Sequence, residues 1–406
     1  MPSNPKAASQ SRENLVRPRI EVASPRLDSV DLLRGLVMVL MALDHTRGFF
    51  SNITFYPLDL TQTNPVLFFT RWFTHYCAPT FVFLAGTGAF LSTTRGKTRS
   101  ELSWFLLTRG LWLVFLEVTV IRWFGWTFNF DLHSVGTGVI WAIGWSMVVL
   151  AGLVFLPIRY IGLLGLLMIA GHNAFDFVQP ADWGRFRWLW AILHQAEKTE
   201  VLPGYNLTTG YPLIPWMGVM AAGYAFGTIL LREPSERRKW LLSLGATASL
   251  LFVLIRYSNL YGDPNPWVPQ KNGLFTLFSF IDCYKYPPSL LYVLMTLGPA
   301  LVVMSLLDRG TPRFLKPALV FGRVPLFYYV LHLALIHGLA VSFAFARYGR
   351  ADGLYGSSPG PRPDGYGYGL PVVYGVWILV VLILYPLCRW FAELKRRRRD
   401  PWLSYL

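Results

Sequence analysis

The dominant pattern in this chain is a series of long apolar runs separated by short polar or basic segments. Several runs reach the roughly 20 residues that an α-helix needs to cross a bilayer, and they are continuous rather than alternating. This pattern predicts an all-α, polytopic bundle of about ten transmembrane helices. The predicted helices cover residues 30–50, 66–92, 104–124, 135–156, 158–172, 211–231, 240–257, 287–307, 318–345 and 371–394.

The basic residues indicate how this bundle is oriented. Clustered Lys and Arg residues fall in segments such as 93–103, 232–239 and 308–317, which lie on one side of a ten-span arrangement. Because cytoplasmic loops carry the excess of Lys and Arg, this side is predicted to be cytoplasmic and to hold both termini. The predicted organisation is a disordered cytoplasmic tail over 1–25, a membrane domain over 26–394 and a basic cytoplasmic tail over 395–406.

The composition narrows the range of partners. Only 15% of the residues are charged, against about 25% in an average soluble protein, so the lipid bilayer is predicted as a partner. The net charge of +15 comes from basic residues in short loops and tails, and no nucleic-acid partner is predicted. Cys77, Cys283 and Cys388 form no CxxC pair, so the sequence predicts neither a disulfide framework nor a metal centre.

Ionisable residues lie inside the predicted helices, where lipid-facing positions would be apolar. In the first helix, Arg34, Met38, Met41 and His45 fall on one stripe at about 100° per residue. This face is predicted to look into the bundle or a water-filled cavity. Glu117 lies deep in the third helix and is predicted to pair with an arginine. Because charges at membrane depth are costly, such residues indicate a functional site.

The outer half of the first two helices holds the candidate catalytic residues. His45 follows Asp44 late in the first helix, and Arg71 and His75 lie early in the second. A histidine held near a carboxylate is typical of a general base. Alternatively, these residues form a hydrogen-bonded clamp between helices. Pro79 is predicted to kink the second helix and to free backbone carbonyls near His75.

A second candidate site lies at the cytoplasmic helix ends. Arg34, Arg109 and Arg323 form a predicted anion-receiving mouth suited to phosphates, and Asp31 lies one turn before Arg34. The alternative is helix capping by Asp31 and snorkelling of the arginines. His332 lies in the middle of the ninth helix, where a packed core histidine is as good an interpretation as a site role.

The stretch SVDLLRGLVMVLMALDH (29–45), followed by APTFVFLAGTGAFL (78–91), resembles the heparan-alpha-glucosaminide N-acetyltransferase catalytic family. Membership would imply transfer of an acetyl group from cytosolic acetyl-CoA to an acceptor on the far side of the membrane, often a sugar amine or hydroxyl. Asp31 and Arg34 match the family's SVDxxRG pattern. The family's lysosomal enzyme carries a catalytic histidine in the loop after the first helix, but residues 51–65 of this chain contain none.

These observations predict an acetyltransferase of the bacterial inner membrane with acetyl-CoA as donor and a small molecule or glycan as acceptor. Acetyl-CoA would bind through Asp31, Arg34, Arg109, Arg323 and His332. His45 or His75 would act as general base or carry the acetyl group. Asp44 would orient or stabilise that histidine, and Arg71 would stabilise the oxyanion.

Two hypotheses from other classes remain open. In a proton-coupled transporter or flippase of a polar or lipid-linked solute, the intramembrane His and Asp residues would relay protons. In a membrane scaffold, the same residues would only hold helices together. The identity of the acceptor, a direct or ping-pong mechanism, and assembly into a homo-oligomer are left open by the sequence.

Overall fold

The computed structural model describes residues 27–356, 361–398 and 400–405, and the predicted tail over 1–25 lies outside them. The described chain is mostly helical, with one small sheet. Its α-helices are α1 Asp28–Phe50, α2 Pro65–Trp72, α3 Cys77–Thr93, α4 Arg99–Leu116, α5 Val139–Leu153, α6 Ile158–Gly171, α7 Arg187–Leu193, α8 Leu213–Phe226, α9 Pro234–Ser258, α10 Gly273–Ile281, α11 Leu290–Leu307, α12 Lys316–Arg323, α13 Pro325–Tyr348 and α14 Leu370–Arg397.

The remaining elements are tighter or wider helical turns and three short strands. Glu117–Thr127 continues α4 as a π-helix. The 3₁₀ segments are Phe73–Tyr76, His172–Phe175, Pro180–Phe186, Gly227–Leu231, Arg313–Leu315 and Pro401–Tyr405. Strands β1 Ser134–Thr137, β2 Lys198–Leu202 and β3 Tyr205–Thr209 form one sheet in the order β1-β3-β2.

The small sheet joins two segments that the sequence predicts as loop or helix end. Strand β3 pairs in parallel with β1 and antiparallel with β2, with Asn206 opposite both Ser134 and Glu200. The strands are too short and too polar to show the alternation of apolar residues that identifies a strand in a sequence. The 173–210 segment, predicted as one long polar loop, therefore contains a hairpin and α7.

Seven helical segments in the described ranges are long and apolar enough to cross a membrane, so the chain is a multi-pass membrane protein. They are Arg99–Thr127, Ile158–Phe175, Leu213–Leu231, Pro234–Ser258, Leu290–Leu307, Pro325–Tyr348 and Leu370–Arg397. The other three predicted spans differ for identifiable reasons. Helix α1 carries five charged residues, α2 and α3 are separated by a 3₁₀ segment, and α5 has only 15 residues.

The break between α2 and α3 follows from Pro79. Proline has no backbone N–H, so the carbonyl of His75, four residues earlier, loses its partner in the helix. The chain passes through a 3₁₀ turn at Phe73–Tyr76, and the Tyr292 hydroxyl donates a hydrogen bond of 2.7 Å to the His75 carbonyl. The prediction that Pro79 disturbs this helix and frees a carbonyl near His75 is confirmed.

The ninth predicted helix is also divided, because Pro325 begins a new helix. Val324 precedes this proline and has a non-helical conformation, with φ −133° and ψ 50°. A residue before proline is pushed out of the α region by steric clash. The resulting short helix, α12, leaves the line of α13 and packs against the start of α1.

Glycines bring the helices around α1 into backbone contact. A side chain on Gly35 would overlap the Ala318 carbonyl, and one on Gly322 would overlap the Asp31 carbonyl. Close helix approach of this kind is typical of membrane bundles. Helix α1 also packs against α3, α11, α13 and α14, so it lies within the bundle rather than at its edge. The polar stripe of α1 therefore faces protein.

Candidate active site

A cavity of about 240 Å³ lies beside the first half of α1 and is largely apolar. Two cations, Arg34 and Arg109, lie in its wall. The Arg34 guanidinium donates hydrogen bonds of 3.3 Å to the Asp31 carboxylate and to the Gly322 carbonyl. Gly88 also lines the cavity, next to the Arg34 guanidinium. Asp31 thus positions Arg34 while itself buried.

A second cavity, of about 170 Å³, adjoins the first and contains most of the polar groups. Asp44, His45, Thr74 and Lys285 lie in its wall. The residues common to both cavity walls are Met41, Phe81, Val139 and Tyr329. The stripe of α1 faces the interior of the bundle, as predicted, because its residues line these two spaces. Eleven residues separate the arginine of the stripe from its histidine, which corresponds to about 16 Å along the helix.

His45 is held by a chain of hydrogen bonds that runs into α13. Its Nδ1 lies 2.8 Å from Nε2 of His332, and His332 Nδ1 lies 2.9 Å from the Tyr328 carbonyl. A carbonyl only accepts, so His332 carries its proton on Nδ1 and offers Nε2 as acceptor. His45 then donates from Nδ1, and its Nε2 keeps a lone pair. This is the protonation state that a general base requires.

Asp44 binds two arginines rather than the histidine beside it. Its carboxylate lies 2.9 Å from Arg47 and 3.4 Å from Arg71. Arg71 also donates a hydrogen bond of 2.6 Å to the Thr74 hydroxyl, and Thr74 lines the second cavity. The hydrogen-bond partner of His45 is a histidine from α13, and the role of Asp44 in orienting or stabilising a catalytic histidine stays a prediction. Neighbouring helix residues point about 100° apart, which explains why Asp44 faces elsewhere.

Lys285 is the cation in the second cavity wall that sequence reasoning missed. It is buried, and its Nζ lies 5.0 Å from the Tyr286 ring centroid. Burial alone would raise the pKa of the Tyr286 hydroxyl, but the charges of Lys285 and Arg71 outweigh it and hold that pKa below its ordinary value. Lys285 lies in the short loop between α10 and α11, next to two prolines. The signal available in the sequence was a lone lysine in an aromatic, apolar setting.

The other predicted site residues lie away from the two cavities. The His75 ring is fully buried against Tyr292, lines neither cavity, and has no side-chain hydrogen-bond partner among the described residues. Arg323 lies 3.4 Å from Asp28 and is partly exposed, so it does not join Arg34 and Arg109 in the cavity wall. His332 is fully buried beside His45, away from the arginine-lined end. The catalytic and donor-binding roles of these residues stay predictions.

Glu117 begins the π-helical turn and points at the start of α5. Its carboxylate accepts a hydrogen bond of 3.2 Å from the Gly138 backbone N–H, and Gly138 lines the second cavity. The partners of Glu117 within the described ranges are backbone N–H groups and not an arginine, so the predicted pairing is wrong. The backbone N–H groups and dipole at the start of α5 supply the stabilisation that we expected from a cation. π-helical turns are frequent at functional sites.

Comparison with known proteins identifies the family of the chain. The sequence model described as heparan-alpha-glucosaminide N-acetyltransferase, catalytic, matches residues 26–260. The chain belongs to this family. A comparison with curated proteins found no match. The heparan-alpha-glucosaminide N-acetyltransferase match extends from α1 through α9 and includes His45, Arg34 and Arg109. Lys285 and His332 come from the part of the chain beyond it.

Proposed function

We propose that this protein is a membrane acetyltransferase that takes the acetyl group from cytosolic acetyl-CoA. The acceptor is a sugar amine or hydroxyl on the far side of a bacterial inner membrane. The observation that carries the proposal is the pair of adjoining cavities that connects two arginines to a histidine with a free lone pair. Family membership supports the reaction class.

The first cavity fits the donor. Arg34 and Arg109 would bind the phosphate groups, because guanidinium groups form strong charge-assisted hydrogen bonds with phosphate oxygens. The apolar wall suits the extended arm that carries the thioester. The distance of about 16 Å between Arg34 and His45 along α1 is one that such an arm can bridge. The acetyl group would then lie in the second cavity.

The second cavity supplies the chemistry. His45 Nε2 would accept the proton of the acceptor's amine or hydroxyl as this group attacks the thioester carbonyl, and would then return the proton to the leaving sulfur. Lys285 lies in the same wall and would stabilise the negative charge that develops on the carbonyl oxygen. Arg71 would act indirectly, by holding Thr74 and Asp44 in place.

We further propose that α1, α2 with α3, and α5 cross the membrane together with the seven longer segments, which makes ten spans. Both termini would then be cytoplasmic, in agreement with the basic loops. Helix α1 can cross despite its charges because neighbouring helices surround it. The membrane domain would cover 26–394, with the basic tail over 395–406 following it.

The test uses the full-length protein in detergent and acetyl-CoA labelled on its acetyl group. CoA release would be followed with and without a panel of amino sugars. We expect acceptor-dependent release that falls by at least about 100-fold in His45→Asn and by less in His75→Asn. His133→Gln is the matched control, because this side chain is 65% exposed and lies in a loop. Absence of acetyl-CoA binding in the wild type would refute the proposal and favour the transporter.

A further inference from the structure

Three metal-binding side chains meet at the end of α6, outside the two cavities. His172 and Asp176 are four residues apart around a 3₁₀ turn, and His194 follows α7, which folds back over that turn. One ligand atom from each of the three lies within 4.8 Å of the others. The sequence predicts no metal centre, and the two histidines are 22 positions apart, which matches no common metal-binding spacing.

Both histidines are withdrawn from solvent. His172 is 2% exposed and His194 is 1% exposed. Neither ring nitrogen of His172 makes a hydrogen bond of normal geometry to a described residue, although the Pro288 backbone lies near the ring. A buried polar group without a partner is costly, so a buried imidazole of this kind calls for an explanation, and a bound ion is one. A metal ion would bind a lone pair on the ring.

We propose that His172, Asp176 and His194 bind a zinc ion. Two imidazoles and a carboxylate form a known zinc ligand set, with a fourth position left for water or another ligand. His194 Nε2 lies 3.6 Å from Asp176 Oδ1, close to the edge of about 3.3 Å between ligands of a tetrahedral zinc site. The 4.8 Å limit for the full set is about 1.5 Å longer than that edge, so the ligands would move closer together around the ion.

Neighbouring side chains hold two of the three ligands in a fixed orientation. The Asn173 side-chain amide donates a hydrogen bond of 2.9 Å to Asp176 Oδ2, which holds the carboxylate in place. Trp190 stacks on the His194 ring at 4.8 Å and 13°. Partners that orient the ligands in this way are typical of metal sites.

A metal-free arrangement competes with this site. His194 Nε2 lies 2.8 Å from the His172 carbonyl and can donate a hydrogen bond to it. Zinc would replace that bond and draw the end of α6 toward α7. Asn173 Oδ1 also accepts from the Leu290 N–H at the start of α11. The ion would therefore brace the end of the loop that carries Lys285.

The experiment measures zinc directly and needs no enzymatic activity. Full-length protein in detergent is treated with a chelator, dialysed, and titrated with Zn²⁺, with Mg²⁺ as the comparison ion. We expect about one zinc ion per chain by elemental analysis, together with a rise in melting temperature that Mg²⁺ does not reproduce. His172→Gln and Asp176→Asn should each weaken zinc binding at least about tenfold, whereas His133→Gln should bind like the wild type.

Cobalt provides a second readout on the unaltered protein. Co²⁺ in a tetrahedral site of mixed nitrogen and oxygen ligands gives strong visible d–d bands, which zinc should abolish by displacement. Zinc binding that is unchanged in both ligand variants, or the absence of such bands and of bound zinc in the wild type, would overturn the proposal. Because the readouts are metal content and spectra, a failure of acetyl transfer would leave this conclusion untouched.

Discussion

The hydrogen bond from His45 to His332 leads to a specific prediction about catalysis. In His332→Leu, the Nδ1–H of His45 loses its acceptor, which lies 2.8 Å away in the wild type. A buried donor left without a partner costs about 1–3 kcal/mol. The ring can avoid this cost by moving its proton to Nε2, the atom that would accept a proton from the acceptor substrate in the proposed reaction.

The magnitude follows from that cost. A preference of about 1–3 kcal/mol for the wrong tautomer lowers the population of the active tautomer by about 5–150-fold, and kcat should fall by the same factor. The KM for acetyl-CoA should not change, because Arg34 and Arg109 lie at the other end of the cavities. His332→Gln keeps a side-chain carbonyl oxygen that can accept from His45, so it should stay within about fivefold of wild-type kcat.

The assay is initial-rate kinetics of CoA release at saturating acceptor, with the pH profile of kcat recorded for each variant. The melting temperature in detergent checks that the variants are folded, since His332 is fully buried. The reasoning would be refuted if folded His332→Leu kept kcat within about twofold of the wild type. It would equally fail if the Gln and Leu variants lost activity to the same extent, because that result would indicate a packing role for His332.

Three further predictions concern the donor site, the Pro79 break and a buried loop carboxylate. Arg34→Gln and Arg109→Gln should each raise the KM for acetyl-CoA by about 10–150-fold through a lost charge-assisted hydrogen bond, with a smaller effect on kcat in the same CoA-release kinetics. Tyr292→Phe leaves the His75 carbonyl unpaired and should cost about 1–3 kcal/mol in thermal unfolding. Tyr257→Phe, which changes an exposed ring, should cost less than about 0.5 kcal/mol. Burial and the nearby Asp263 charge raise the pKa of Asp282 to about 7 in the folded protein. The unfolded chain ionises this group at lower pH, so the stability of the wild type should fall as the pH rises from about 4 to 7. The melting temperature of Asp282→Asn should fall less than that of the wild type over the same range. Equal slopes of melting temperature against pH in the two proteins would contradict the assignment.

The sequence predicted the parts of the site that depend on the period of one helix. Arg34, Met41 and His45 share a face because 3.6 residues make a turn, and that face lines both cavities. The break beside His75 was also predictable, because Pro79 lacks the N–H that its carbonyl needs. Both conclusions follow from backbone geometry within a single short segment of the chain.

The parts that escaped prediction depend on contacts between distant segments. His45 and His332 are 287 positions apart, and no local pattern connects them. Lys285 follows α10, which is too short to span a membrane, and no pattern in the sequence places it beside α1. The position of its side chain in a cavity wall depends on how that loop folds back over α1. The same holds for His172 and His194, which a fold-back of α7 brings together.

The charge distribution around the second cavity explains why α1 is both a poor membrane helix and the centre of the bundle. Asp44 is flanked by two arginines, and Lys285 adds a third positive charge to the neighbourhood. The Asp44 carboxylate balances one of these three cations, and the remaining positive charge favours negative charge that develops on a bound carbonyl oxygen. In lipid this arrangement would be too costly for an isolated helix, and it becomes tolerable only where surrounding helices and ion pairs replace water. Two of the charges that exclude α1 from the seven apolar spans, Arg34 and Asp44, are therefore ones that the proposed acyl-transfer site would use.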